Sequence, residues 1–184
     1  AGIGIVEDTV TVPLKEAEGD ELLTSGKDAD GIPFSMVKLR NPVEGMAKGE
    51  GNGYRLKTLP YTLDQREPAA FLGLRQTSYY FTAKTTVDFT PAQDGEAAGL
   101  ALFQSEQAFL TIEYGKFDGN TQVRILENTR DTGVQVKKTE EVSADRITFT
   151  ITQKGQQATL SYNAGAGDKA LISDASTKIL STES

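Results

Sequence analysis

Between residues 79 and 89 the chain alternates one for one: Tyr79, Phe81, Ala83, Thr85, Val87 and Phe89 fall on one side, Tyr80, Thr82, Lys84, Thr86 and Asp88 on the other. A period of two places successive side chains on opposite faces of an extended strand, so this run reads as a long strand with one buried face. Shorter runs rich in β-branched and aromatic residues follow at 99–104, 108–114, 122–127, 133–137, 146–153 and 158–163, each of ordinary strand length. Turn-forming residues separate them at 91–95, 115–120, 128–133, 154–155 and 163–168, where hairpins need them. Strands at this spacing with no helical pattern between them predict an all-β chain built as an antiparallel two-sheet sandwich or a barrel. Period alone leaves that choice open.

The first thirty-one residues behave differently. Glu16 to Leu23 has room for one or two helical turns, and Gly26 to Gly31 is rich in turn formers, so residues 1–31 read as an N-terminal arm or linker. Residues 32–184 then form one sandwich domain, with no internal repeat and no low-complexity linker.

Composition narrows the chemistry. The chain has 184 residues, 19 Lys and Arg against 26 Asp and Glu, a net charge of −7, and no His, Cys or Trp. Without His or Cys there is no Ser-His-Asp triad, thiol nucleophile, disulfide framework or thiolate–imidazole zinc site. The acidic balance argues against a nucleic acid partner, because phosphate recognition needs a clustered positive field and the longest basic cluster is Lys137-Lys138. No apolar run approaches the roughly 18 residues of a membrane helix. Zero Cys suits a secreted, periplasmic or cytoplasmic protein alike, so localisation stays open.

Four stretches depart from a generic β pattern: Leu39-Arg40-Asn41-Pro42; Tyr54-Arg55-Leu56; Pro68 through Gln76, which reads PAAFLGLRQ; and Glu96-Ala97-Ala98-Gly99-Leu100 followed by Phe103. In this order and spacing, over roughly residues 32–184, they resemble the C-terminal β-sandwich attached to the five-bladed propeller of glycoside hydrolase family 43 β-xylosidases and α-L-arabinofuranosidases. The resemblance implies a concanavalin A-like jelly roll, described in some relatives as a xylan-binding module, with the catalytic carboxylates in the propeller and none in this domain. Two departures accompany it. The Leu39–Pro42 motif usually follows a Trp, and here the nearby position is Met36. Leu180 to Ser184 resembles the start of a segment that in the family runs through a Gly-Phe-rich loop into closing strands, so the final strands are expected to be missing from this chain.

Glycoside hydrolysis requires two carboxylates about 5 Å or about 6.5–9.5 Å apart, one with a raised pKa. Asp64 with Glu67 and Asp94 with Glu96 are pairs of this kind, but both lie in turn-like polar segments where carboxylates stay solvated. Glu96 precedes the small-residue run Ala97-Ala98-Gly99 and reads as a structural residue that satisfies backbone N–H groups across the sandwich. Arg40 and Asn41 read as structural as well, pinning the N-terminal arm to the sheet. Asp28, Asp30 and the Asp118-Gly119-Asn120 turn offer oxygen ligands without the spacing of a calcium loop, and turn chemistry accounts for them. No metal or cofactor is expected.

Arg75, Gln76, Tyr79 and Tyr80, with Phe71 just upstream, form the main candidate contact cluster. A guanidinium, an amide and aromatic rings recognise sugar hydroxyls and stack on pyranose faces, and the same residue types anchor protein interfaces. The resemblance implies that this stretch faces the propeller, which favours docking. The leading expectation is therefore a non-catalytic accessory domain that docks on a catalytic propeller and contacts xylan or xylooligosaccharide. An autonomous carbohydrate-binding module is the alternative, with exposure of Tyr79, Tyr80 and Tyr114 as its discriminator, and a stand-alone glycosidase is a remote third. Unpaired sheet edges add an expectation of edge-mediated self-association.

Overall fold

The computed structural model describes the backbone of residues 2–4 and all of residues 26–181. The helical turns expected at Glu16–Leu23 lie outside the described residues. Among the described residues twelve strands run in chain order: β1 Gly2–Gly4, β2 Ala47–Glu50, β3 Gly53–Leu56, β4 Gly73–Arg75, β5 Tyr80–Asp88, β6 Ala97–Ser105, β7 Ala108–Phe117, β8 Asn120–Thr129, β9 Gly133–Glu141, β10 Arg146–Lys154, β11 Gln157–Asn163 and β12 Lys169–Ser176, followed by a 3-10 turn at Lys178–Leu180. Every run expected from the alternation is a strand. β12, the short β4 and β1, and the β2–β3 hairpin are additions that periodicity did not single out.

A six-stranded sheet is ordered β4-β1-β6-β7-β8-β9 and a four-stranded sheet β12-β11-β10-β5, with β2-β3 a separate hairpin. All pairings are antiparallel, so the architecture is a two-sheet sandwich rather than a barrel. Its central layer joins Phe81, Ala83 and Val87 of β5 and Ile147, Phe149 and Ile151 of β10 to Leu100, Leu102, Ile112, Tyr114, Val123 and Ile125 of the facing sheet. These are alternate residues of each strand, as a half-buried face requires. Burying one such side chain contributes about 1.5–3 kcal/mol.

Turn chemistry sets the register of the longest hairpin. Asp118 and Gly119 both have positive φ, 52° and 81°, the backbone of a two-residue turn whose twist matches the flanking strands. Phe117 therefore faces Asn120, and the ladder continues through Glu113 opposite Arg124. β7 runs on to Phe117, so the turn expected over 115–120 contracts to two residues.

The outer face of the six-stranded sheet is covered by the segment before β4. Val37, Leu39, Leu63 and Phe71 pack on Phe103, Phe109 and Leu126. A third cluster joins Ile32, Met36, Met46 and Ala47 to Leu72 and Leu74. The arm expected over 1–31 is described only at 2–4 and 26–31. Gly2–Gly4 lies between β4 and β6, and Asp30 accepts a hydrogen bond from the Gly49 N–H at 2.7 Å.

Candidate functional site

Tyr79 and Tyr80 are 70% and 73% exposed and, with Phe34 at 71%, are the most exposed large hydrophobic side chains among the described residues. Strand alternation turns Tyr80 outward because the next residue, Phe81, enters the core. The loop that carries both rings is held at several points. Gln76 Nε2 donates to the Ser78 carbonyl at 2.8 Å and to Gln153 Oε1 at 3.4 Å. Ser78 Oγ accepts the Tyr80 N–H at 3.0 Å and donates to the Tyr80 carbonyl at 3.1 Å. The Gly155 N–H donates to the Tyr79 carbonyl at 2.9 Å, and buried Gln153 donates Nε2 to the Gly155 carbonyl at 2.8 Å. The backbone is thus tied to the β10–β11 turn while both rings face solvent.

Arg75 lies exposed at the end of β4, near this loop in sequence. The Gln76 amide nitrogen is engaged within the loop and with Gln153, which holds the loop that carries the tyrosines. Phe71 requires a correction. It is only 4% exposed, with its ring centroid 5.5 Å from that of Phe103, so it packs inside and offers no contact face. Tyr114 is also buried and accepts the Ala144 N–H at its hydroxyl.

The outer face of the four-stranded sheet, where Tyr80 ends one row, is lined with hydroxyls. Thr82 meets Thr152 at 3.1 Å and Thr86 meets Thr148 at 2.8 Å; Thr159 and Ser161 continue the face onto β11, donating to the carbonyls of Ser173 and Thr150. Arg146 and Asp88 close its far end with an ion pair at 2.7 Å. Near Tyr80, an open cleft of about 470 Å³ is lined by Lys154, Gln156, Gln157, Asp174, Ser176 and Lys178.

The other acidic and basic candidates serve local structure. Glu96 accepts the N–H groups of Ala92 and Gln93 at 2.7 and 3.1 Å, so it caps its own loop rather than reaching across the sandwich. Asp94 accepts the Gly119 N–H, and Asp64 accepts the Thr62 hydroxyl. Arg40, at φ 52°, donates to the Glu67 carbonyl and pairs with Glu106 at 3.2 Å, so it ties the covering segment to the β6–β7 turn. Asn41 is exposed beside it. Asp28 forms an Asx turn with the N–H groups of Asp30 and Ile32 and pairs with Lys38 at 3.1 Å. These bonds, the one from Ile32 foremost, hold its carboxyl below the ordinary value.

One cluster was not singled out from the sequence. Glu113 accepts a hydrogen bond from Arg124 at 2.6 Å, and the Arg124 guanidinium lies 3.4 Å from the Phe117 ring centroid. Burial pushes the Glu113 carboxyl up, against the pull of Arg124. The Asp118-Gly119 turn was the available signal, since it puts residues 113 and 124 opposite each other.

Residues 28–184 match the family described as beta xylosidase C-terminal concanavalin A-like domain. A xylosidase/arabinosidase of Butyrivibrio fibrisolvens is 24% identical over 182 residues, covering 94% of this chain and 34% of that protein. Among solved structures, the GH43 protein BlXynB of Bacillus licheniformis superposes with a TM-score of 0.76 at 19% identity, over 85% of this chain and 31% of that one. GH43B of a Bacteroides ovatus xyloglucan locus gives 0.75 at 21% identity, over 85% and 31%. The chain therefore spans about a third of the length of the proteins it matches.

Proposed function

Because the chain belongs to the family of beta xylosidase C-terminal concanavalin A-like domains, a part of such proteins that is not the catalytic one, we propose that it is an accessory domain that docks on the catalytic domain of a xylosidase- or arabinosidase-type glycoside hydrolase. The docking surface is the corner made by Arg75, Tyr79 and Tyr80. The observation that carries this reading is the pair of adjacent tyrosines, more than two-thirds exposed on a loop fixed to the β10–β11 turn. Rings held in place lose little conformational freedom on burial, and aromatic and Arg side chains dominate interface energetics.

Mechanistically the contribution is positional. Burying the corner stabilises the catalytic domain and holds the rim of its cleft, while the proton transfers of hydrolysis belong to carboxylates in that domain. The test is to truncate Tyr79 and Tyr80 together in the whole enzyme and follow its melting and kinetics. A lower melting temperature with an unchanged fold of the isolated domain supports docking; unchanged melting and kinetics defeat it.

A second reading has its own observation, the hydroxyl-lined outer face that ends at Tyr80. Hydroxyls and a flanking aromatic ring suit a polysaccharide chain such as xylan, which would make this a carbohydrate-binding surface. Calorimetric titration of the chain with xylohexaose, with analysis of the same sample for released sugar, separates the readings. Binding without release supports the carbohydrate surface, and absence of both leaves docking as the account. Release of sugar overturns the non-catalytic reading.

A further inference from the structure

We propose that strand β9 is a self-recognition edge that pairs antiparallel with β9 of a second copy of this chain, with the twofold axis passing through Thr139. β9 ends the six-stranded sheet opposite β4, and eight of its nine residues are exposed. Among the described residues no strand pairs with its other side, so that side offers backbone donors and acceptors, the template for adding a strand. Docking at the tyrosine corner would use the other end of the fold, so the two surfaces are independent.

The order of side chains selects the partner. Residues 137–141 read Lys-Lys-Thr-Glu-Glu. Antiparallel pairing about Thr139 sets Lys138 opposite Glu140 of the other copy, the twofold repeats that pair, and Lys137 and Glu141 flank it with opposite charges. Val136 and Val134 on the same strand are 54% and 38% exposed, so the edge also carries apolar surface. Moving the twofold to Lys138 or to Glu140 sets that residue against its own copy, and parallel pairing in register sets Lys on Lys and Glu on Glu.

Lysines and a bulge on an edge strand discourage pairing with arbitrary strands. β9 has both, with the register shift falling between the partners of Ile125 and Leu126 and leaving Lys137 as the extra residue. Here the same features narrow the choice instead. The bulge leaves Lys138–Glu141 as the regular part of the edge, where the proposed axis lies, and the two glutamates after the lysines make the antiparallel copy the attractive partner. Glu140 also pairs with Lys169 of β12, and Lys137 with Glu127; both are surface pairs that tolerate a second ion of matching sign.

The chain contains no cysteine, so Thr139→Cys introduces a unique thiol at the axis, where directly opposed strand residues have the Cα separation that a disulfide needs. Under mild oxidation the Thr139→Cys chain is expected to cross-link into a covalent dimer much faster than Asp131→Cys, at the exposed turn before β9. Equal rates overturn the proposal. Sedimentation velocity supplies an independent arm. The unmodified chain is expected to dimerise with rising concentration. Lys137→Glu/Lys138→Glu and Glu140→Lys/Glu141→Lys, each checked for an intact fold by melting, are expected to stay monomeric alone and to form a heterodimer when mixed. A monomeric unmodified chain at every concentration, dimers that survive in both variants, or a mixture that stays monomeric would each refute the register.

Discussion

The carbonyl of Tyr79 accepts the Gly155 N–H at 2.9 Å, and this one bond ties the exposed aromatic corner to the tight turn between β10 and β11. Gly155 sits at φ 62° in that turn, a conformation that glycine adopts without the penalty other residues incur. The corner is thereby presented by the four-stranded sheet and not by a free loop.

Arg75 and Phe71 lie four residues apart and are expected to behave in opposite ways. Phe71→Ala empties a site in the Phe71–Phe103–Phe109 cluster, which costs about 3–5 kcal/mol and lowers Tm of the isolated chain by roughly 10 °C. Arg75→Ala leaves the isolated chain within about 0.5 kcal/mol but lowers the melting temperature of the whole enzyme. Calorimetry on both forms checks the split. An equal loss in the isolated chain for both variants would remove Arg75 from the docking surface.

Gln153 is 3% exposed and bridges Gln76 to Gly155. Replacing it with Leu strands the Gly155 carbonyl and loosens the Gln76 side chain, a cost of about 1–3 kcal/mol. Hydrogen exchange is expected to quicken at Tyr80 and Gly155 while the β7–β8 ladder keeps its protection.

Gly99 supports the sheet by close approach. A Cβ there would lie 2.2 Å from the Ile112 carbonyl oxygen and 2.6 Å from Glu113 Cα, so the neighbouring strand must move. Gly99→Ala is expected to cost on the order of 3 kcal/mol or more. Gly119→Ala, with open space but φ 81°, costs about 1 kcal/mol. Denaturant unfolding of the two variants reads the difference directly.

Two carboxyls shift in opposite directions and predict opposite pH effects. Burial raises Glu113 above its ordinary 4.5, so the folded chain holds that proton more tightly than the unfolded chain. Its contribution favours the folded state near and below pH 4.5 and is lost as pH rises through the elevated value. Glu113→Gln is expected to flatten that fall in melting profiles; parallel profiles would show that the carboxyl is not raised. Asp28 lies below its ordinary 3.8. Its contribution is present above that value and lost as pH falls through the depressed one, so Asp28→Asn is expected to weaken the acid limb.

The alternation in 79–89 and the runs after it determined the strands of the sandwich, because a half-buried sheet imposes a period of two that survives in the residues themselves. Asp118-Gly119 determined a register, since two positive-φ residues fit one kind of hairpin turn, and the ordered motifs from Leu39 to Phe103 determined the family. The fate of single side chains was decided by tertiary structure. Phe71 and Tyr80 are both aromatic residues in or near strands, yet one is buried by the segment folded over the six-stranded sheet and the other is left in solvent, a difference set by layers distant in sequence. Glu96 looks like a long-range tie in the sequence and folding turns it onto its own loop, whereas Arg40 reaches Glu106 in the β6–β7 turn, because hydrogen-bond partners are chosen by proximity in space. β12 escaped notice for a related reason: its pairing with β11 is irregular, so no clean period was imprinted on its residues. That β9 ends a sheet followed from the order of strands alone, and only that placement gives the Lys-Lys-Thr-Glu-Glu sequence a free edge on which to act.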